Sequence, residues 1–110
     1  MDLKEEFIKN LKIAGGEIFD TPPKGWWTTK GEFAVATNGA VWVKNYTKEL
    51  FLSENVLLQI PSVIYPDMQT AINQIDSPGV FISGPSKTAD VESFLVFGAH
   101  GPIRLGVMFI

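Results

Sequence analysis

Hydrophobic and polar positions in the first twenty residues of the chain predict a helix and then a strand. Leu3, Phe7, Ile8 and Leu11 recur at helical spacing behind Asp2, which is a candidate N-cap residue. Gly15-Gly16 follows, and a glycine pair is typical of a helix C-terminus. Residues 17–20 then predict a short strand. This order is half of an α/β unit.

Turn-forming residues divide the middle of the chain into shorter elements. Residues 21–31 contain Pro22-Pro23 and Trp26-Trp27, and we expect an irregular connection there. One tryptophan is expected at the edge of the core and the other at the surface, because neighbouring residues of an extended chain face opposite sides. An aromatic contact site for a partner or ligand is the alternative. Residues 32–37 and 40–44 are β-rich, and Asn38-Gly39 between them predicts a hairpin with a type I′ turn.

The second half of the chain alternates between predicted strands and helices. We expect a short helical turn at residues 48–50, a strand at 55–60, a helix that starts at residues 65–67 with Pro66 near its first turn, and strands at 80–82 and 103–110. The apolar face of the helix is expected to comprise Met68, Ala71, Ile72 and Ile75. Together these elements predict one α/β domain over residues 1–110 with a mixed, mostly parallel sheet.

Composition narrows the class of protein. The 110 residues are 45% hydrophobic and 19% charged, which excludes a disordered chain. There is no cysteine, which excludes disulfides and cysteine-ligated metal centres. The net charge of −3 and the scatter of the basic residues argue against nucleic acid as a partner. No apolar run approaches the length of a membrane span and the start does not resemble a signal peptide, so we expect a cytoplasmic protein without membrane contact.

Reactive side chains concentrate in residues 79–101. The apolar strand at 80–82 is followed by a glycine-bearing turn and then by a candidate helix with Thr88 as its N-cap. Such a turn presents free backbone N–H groups to an anion. The predicted ligand-binding residues here are Ser83, Gly84, Ser86, Lys87 and Thr88, with Lys87 as the counter-charge. In the alternative interpretation Lys87 is solvated and Ser86 and Thr88 are caps. The spacing does not match a nucleotide-binding phosphate loop.

Two side chains of this stretch could carry protons in a reaction. His100 is the only histidine, and Asp90 lies in the candidate helix, so both are candidate catalytic residues. Each also has a structural interpretation, in which His100 bonds to backbone in a loop and Asp90 accepts N–H bonds from its own turn. The spacing of Asp90, Glu92 and His100 does not require convergence on a metal, so we predict neither a metal site nor a cofactor.

The sequence GPSKTADVE, followed by LVFGAHGP and a closing apolar strand, resembles the C-terminal signature of the lactate-utilization (LUD) domain family, LutC-like. The resemblance implies a Rossmann-like three-layer fold of the NagB/RpiA/CoA-transferase class. It also implies that the hairpin turn belongs to the site, which adds Asn38 and Gly39 to the predicted ligand-binding residues. Family members are longer, so this chain looks like an abbreviated member.

The resemblance implies a function in lactate or organic-acid metabolism, beside iron–sulfur and oxidoreductase subunits. The family's hairpin turn carries Glu-Thr-Gly-Thr, whereas this chain has Thr37-Asn38-Gly39-Ala40 and so lacks the candidate acid or base. We therefore expect an accessory domain that binds a small carboxylate or phosphate and is not catalytic by itself. The alternatives are an isomerase- or CoA-transferase-like enzyme and a non-catalytic module that forms a homo-oligomer or binds a partner subunit.

Overall fold

The fold is built from eight short strands and three helices in the part of the chain that the computed structural model describes, residues 2–84 and 103–110. Element bounds follow the chain in order: α1 (Leu3–Ile13), β1 (Glu17–Ile18), β2 (Trp27–Lys30), β3 (Phe33–Val35), β4 (Ala40–Lys44), α2 (Glu49–Leu52), β5 (Asn55–Ile60), β6 (Ile64–Tyr65), α3 (Met68–Ile72), β7 (Gly79–Ile82) and β8 (Arg104–Phe109).

The described strands form two sheets. Sheet A has the order β1-β8-β5-β2, and all its strands are parallel. Sheet B has the order β6-β3-β4-β7, in which β4 is antiparallel to both neighbours and β6 is parallel to β3. Strand pairing is therefore mixed and mostly parallel, as predicted. With its helices the chain has an α/β architecture consistent with a Rossmann-like three-layer fold.

Two hydrophobic clusters hold the layers together. The larger lies between the two sheets and takes Phe7 and Leu11 from α1, Leu58 from sheet A and Ile82 from sheet B, all fully buried. The smaller lies on the opposite face of sheet B, under Ala71 of α3. Strand side chains alternate between faces, so sheet B supplies apolar residues to both clusters. Both of its faces are therefore covered.

The first helix ends as its sequence predicts. The Asp2 carboxylate accepts a hydrogen bond of 2.8 Å from the Glu5 amide at the N-terminus. At the C-terminus the amide of Gly16 donates to the Leu11 carbonyl and that of Gly15 to the Lys12 carbonyl. This pair of bonds is a Schellman motif, and it turns the chain directly into β1.

The hairpin is present, but its predicted type I′ turn is wrong. Val35 pairs with Ala40, so four residues separate the strands, and Gly39 rather than Asn38 adopts a positive φ, of 59°. The Gly39 amide donates to the Ala36 carbonyl at 3.3 Å. A type I′ turn needs positive φ at both central residues. Contacts between this turn and α1, described below, favour the longer loop.

Other differences concern short elements. β2 lies within residues 21–31, where an irregular connection was expected, and β6 precedes α3 without a clear sequence signal. The start of α3 agrees with the prediction: Asp67 is its N-cap, and the Asp67 carboxylate accepts a 2.7 Å bond from the Thr70 amide. The buried strand at 55–60 and the helical turn after Lys48 are confirmed.

Within residues 2–84 and 103–110, no helix combines the length and apolarity needed to cross a membrane.

Candidate functional site

The end of β7 and the hairpin turn meet at one place in the fold, although they lie far apart in the sequence. The Ser83 hydroxyl donates a 2.9 Å hydrogen bond to the Asn38 carbonyl, across a separation of 45 residues. Ser83 is buried, with 5% of its surface exposed. The structure thus brings together four of the predicted ligand-binding residues, which we name the hairpin junction: Asn38, Gly39, Ser83 and Gly84.

Helix α1 forms the floor of the hairpin junction. The Asn10 side-chain amide donates a 2.8 Å hydrogen bond to the Ala36 carbonyl, at the start of the turn. Gly39 packs so closely on the helix that an added Cβ would lie 2.5 Å from the Leu11 nitrogen. Gly84, with φ of 83°, packs on Ala14 in the same way, and a Cβ there would overlap the Ala14 carbonyl oxygen. Glycine is required at both positions because neither φ nor space suits a side chain.

The Asn38 side chain is one polar group that the hairpin junction leaves available. It is half-buried, and it makes no hydrogen bond within residues 2–84 and 103–110. Its amide group offers both a donor and an acceptor to a small polar ligand. The Ser83 hydroxyl and the Gly39 amide are already engaged in the internal bonds described above.

The C-terminus of α1 makes the hairpin junction unfavourable for an anion unless a cation is also present. Ala14 caps the C-terminus of α1, where the carbonyl groups carry partial negative charge. Lys12 in the last turn of α1 offsets part of that charge. An anion bound beside Gly84 would therefore need a further cation close to it. Among the predicted site residues, Lys87 is the one that carries positive charge.

Thr37 stands where the resembled family has glutamate, and its hydroxyl is used within the fold. Its Oγ1 donates to the Pro66 carbonyl, and its backbone amide donates to the same oxygen at 3.2 Å. These bonds tie the hairpin turn to the connection between β6 and α3. The hydroxyl thus has a structural partner, and it has no carboxylate chemistry to offer in place of the missing glutamate.

The remaining predicted site residues lie outside the described residues: Ser86, Lys87, Thr88, Asp90 and His100. The predicted helix capped by Thr88 falls in the same range. The roles assigned to these residues stay predictions. Within the described residues, no group of three or more His, Cys, Asp or Glu side chains could hold a metal ion.

A groove of about 190 Å³ lies at the other end of the hairpin, and the sequence did not reveal it. Its lining includes an ion pair of 3.3 Å between Lys44 and Glu32, which face each other across the hairpin. Phe33 and Trp42 also line it but are only 5% and 4% exposed, because their rings pack on each other. The groove is smaller than most small-molecule sites. The proximity of Glu32 and Lys44 depends on the hairpin register, so the sequence alone could not indicate this groove.

Glu17 and Arg104 form an ion pair on the outer face of sheet A, away from the hairpin junction. Two hydrogen bonds, of 2.9 and 2.6 Å, join the guanidinium to the carboxylate. They lower the pKa of Glu17 from its ordinary value and raise that of Arg104. Arg104 also lies 4.9 Å from the ring centroid of Trp26, which packs edge-on against Phe19.

The two adjacent tryptophans face opposite sides of sheet A. Trp27 packs against the large cluster between the sheets, whereas Trp26 lies on the outer face with Phe19. The prediction that they diverge is therefore confirmed, but both are half-buried, so neither is a fully exposed surface residue. Trp26 covers Gly106 on the outer face of β8, and the alternative of an aromatic contact site stays a prediction.

Comparison with known proteins identifies the family. The family model described as LUD domain matches residues 28–110. Lactate utilization protein C of Exiguobacterium sp. is 30% identical over 89 residues, which cover 72% of this chain and 39% of the relative. The protein of the same name from Anoxybacillus flavithermus is 35% identical over 86 residues, covering 69% and 39%.

A short segment shows a stronger likeness. Lactate utilization protein C of Halalkalibacterium halodurans is 71% identical over 24 residues, 22% of this chain and 10% of that protein. No solved structure matches the chain. The chain spans about two fifths of the length of the first two relatives. Since the family model covers most of the sequence, including the hairpin turn and the end of β7, this chain belongs to the LUD domain family.

Proposed function

We propose that this chain acts in lactate utilization as a non-catalytic domain that binds a small carboxylate at the hairpin junction. The observation that carries the proposal is the Ser83–Asn38 hydrogen bond, which joins the turn after β3 to the end of β7. It places Asn38 beside Ser83, four residues before Lys87 in the sequence; the Asn38 side chain is half-buried and makes no hydrogen bond within residues 2–84 and 103–110. The names of the relatives supply the metabolic context.

The chemistry of the hairpin junction suits a carboxylate that is held by a donor and a cation. The Asn38 amide can donate to one carboxylate oxygen, and an ammonium group can neutralise its charge. Without that cation the carbonyl end of α1 would disfavour the anion. Lys87 is the residue that we propose for this role, so binding should depend on it more strongly than on any exposed lysine elsewhere.

Absence of catalysis is proposed from the residue at the hairpin turn. A general acid or base there would need a titratable group. Thr37 has none, and its hydroxyl is bound to the Pro66 carbonyl. His100 and Asp90 remain the candidate proton carriers if the chain has a reaction of its own. An activity on an acyl or phosphosugar substrate that is lost in His100→Ala would replace the present proposal with the enzymatic one.

Isothermal titration calorimetry with L-lactate, pyruvate and inorganic phosphate tests the proposal. We expect at least one carboxylate to bind, and we expect Lys87→Ala and Asn38→Ala each to raise its dissociation constant tenfold or more. The matched control is Lys24→Ala, which removes an exposed lysine from the connection between β1 and β2. If no probe binds, or if Lys87→Ala behaves like Lys24→Ala, the proposed site is refuted.

A further inference from the structure

The hairpin junction rests on α1 at three points. Asn10 donates to the Ala36 carbonyl at 2.8 Å. Gly39 packs against the backbone of residues 10 and 11, with the Asn10 carbonyl carbon 2.6 Å from where a Cβ would lie. Gly84 packs against Ala14 one helical turn further on. One stretch of helix thus contacts both segments whose relative position defines the proposed site.

Helix α1 is itself held firmly. Phe7 and Leu11 are fully buried in the cluster between the sheets, and the Phe7 ring meets that of Phe109 edge-on with centroids 5.8 Å apart. The N-terminal cap and the C-terminal Schellman motif satisfy backbone groups at both helix ends. Its contacts with the hairpin junction are therefore made from a fixed support.

Asn10 provides the directional contact of the three. The two glycine contacts are steric and limit how closely the turn approaches the helix. The Asn10 side chain, in contrast, donates to one particular carbonyl at the first residue of the turn, so it fixes the turn in orientation as well as distance. The Ala36 residue that accepts this bond is fully buried, where water cannot readily replace a lost donor.

Residues 10, 11 and 14 all precede the segment that matches the family model, which begins at residue 28. The hairpin turn and the end of β7 lie inside that segment. In this chain, a helix outside the matched segment therefore supports the part of the family domain that we propose as the site.

We propose that Asn10 is a positioning residue, which holds the hairpin turn so that Asn38 faces the ligand. This inference rests on the proposed carboxylate site but makes a separate claim about the turn itself. A donor role distinguishes Asn10 from a residue that merely fills space. Asn10→Asp keeps the size of the side chain but places a carboxylate against the Ala36 carbonyl, whereas Asn10→Ala only removes the donor. Asp should therefore be the more damaging substitution.

The test combines amide hydrogen exchange by NMR, without ligand, with calorimetric titration of L-lactate. In Asn10→Ala we expect the Gly39 amide to exchange tenfold faster or more and the dissociation constant for L-lactate to rise at least tenfold. Both effects should be larger in Asn10→Asp. Exchange at Phe7, which reports whether α1 remains folded, should change less than twofold. The control Lys9→Ala, at an exposed neighbouring position of α1, should change neither readout.

The two readouts separate the two claims. If wild-type protein does not bind L-lactate or another carboxylate, the proposed function fails, and Gly39 exchange alone decides whether Asn10 positions the turn. Unchanged Gly39 exchange in both Asn10 variants overturns the positioning role. Faster Gly39 exchange with an unaltered dissociation constant for L-lactate also overturns it. So does an Asn10→Asp variant that behaves like wild type, because a residue that merely filled space would tolerate that substitution.

Discussion

Replacing Gly39 by alanine should destabilise the fold for two separable reasons. Its φ of 59° is a left-handed conformation, which costs a residue with a Cβ roughly 1–2 kcal/mol. The new Cβ would also lie 2.5 Å from the Leu11 nitrogen and 2.6 Å from the Asn10 carbonyl carbon, both of which are helix backbone. Backbone in a core-anchored helix moves little, so overpacking should add about 1–3 kcal/mol.

Gly25 offers a matched control. Its φ of 83° is also left-handed, but no atom lies within 4 Å of an added Cβ. Gly25→Ala therefore carries the conformational cost alone, and Gly39→Ala carries that cost and the collision with α1. We expect the two variants to differ in free energy of unfolding by about 1–3 kcal/mol. Urea titration followed by circular dichroism measures both values, and each kcal/mol should lower the melting temperature by about 4–8 °C.

Equal destabilisation of the two variants would refute the reasoning, since it would show that the turn does not press on α1. A Gly39→Ala variant that unfolds with a smaller dependence on urea would point instead to a change in compactness. The contact of the hairpin turn with the helix would then need another explanation. Gly84→Ala provides a second comparison, because its Cβ would collide with Ala14.

Three further predictions concern other parts of the molecule. Gly106→Ala should cost about 1–3 kcal/mol of unfolding free energy because a Cβ would lie 2.5 Å from the Phe19 ring; in a double-mutant cycle, Phe19→Ala should remove most of that cost, and additive effects would contradict the contact. Glu17→Gln should lower the melting temperature at pH 7, and the difference from wild type should disappear as pH falls through the lowered pKa of Glu17, since the ion pair stabilises the fold only while the carboxylate is charged. A difference that persists in acid, or that is insensitive to salt, would show that charge is not the cause. Leu58→Ala should cost about 2–5 kcal/mol in chemical denaturation, because this fully buried side chain lies between the two sheets, and a loss under 1 kcal/mol would contradict that placement.

The helix, hairpin and strand with clear local patterns could be predicted from the sequence, because local chemistry determines them. Three features need no tertiary information: the caps and apolar stripe of α1, the β-rich runs around Asn38-Gly39, and the mostly apolar strand of residues 55–60. The strand at 27–30 could not be predicted in this way. Its backbone order comes from pairing with β5, and its sequence is flanked by glycine and proline.

The sequence indicated the residues of the hairpin junction, but it did not indicate that α1 holds them in place. Small residues at 83–84 and in the hairpin turn indicated backbone bends, and the structure joins them through the Ser83–Asn38 bond. The contribution of Asn10 had no signal in the sequence, because the helical pattern puts it beside Leu3 and Ala14 at the edge of the apolar face without indicating a partner for its amide. Asn10 finds its partner only because the hairpin turn packs on α1. The turn that packs there is a four-residue loop, which differs from the predicted type I′ turn.

The position of β8 within sheet A has a consequence for biosynthesis. This strand lies between β1 and β5, and the Glu17–Arg104 pair joins it to β1 across a separation of 87 residues. Residues 104–109 must therefore emerge from the ribosome before β8 can pair with β1 and β5 and complete sheet A. Until then the apolar edges of β1 and β5 lack their shared neighbour, and the nascent polypeptide is open to aggregation or to capture by chaperones.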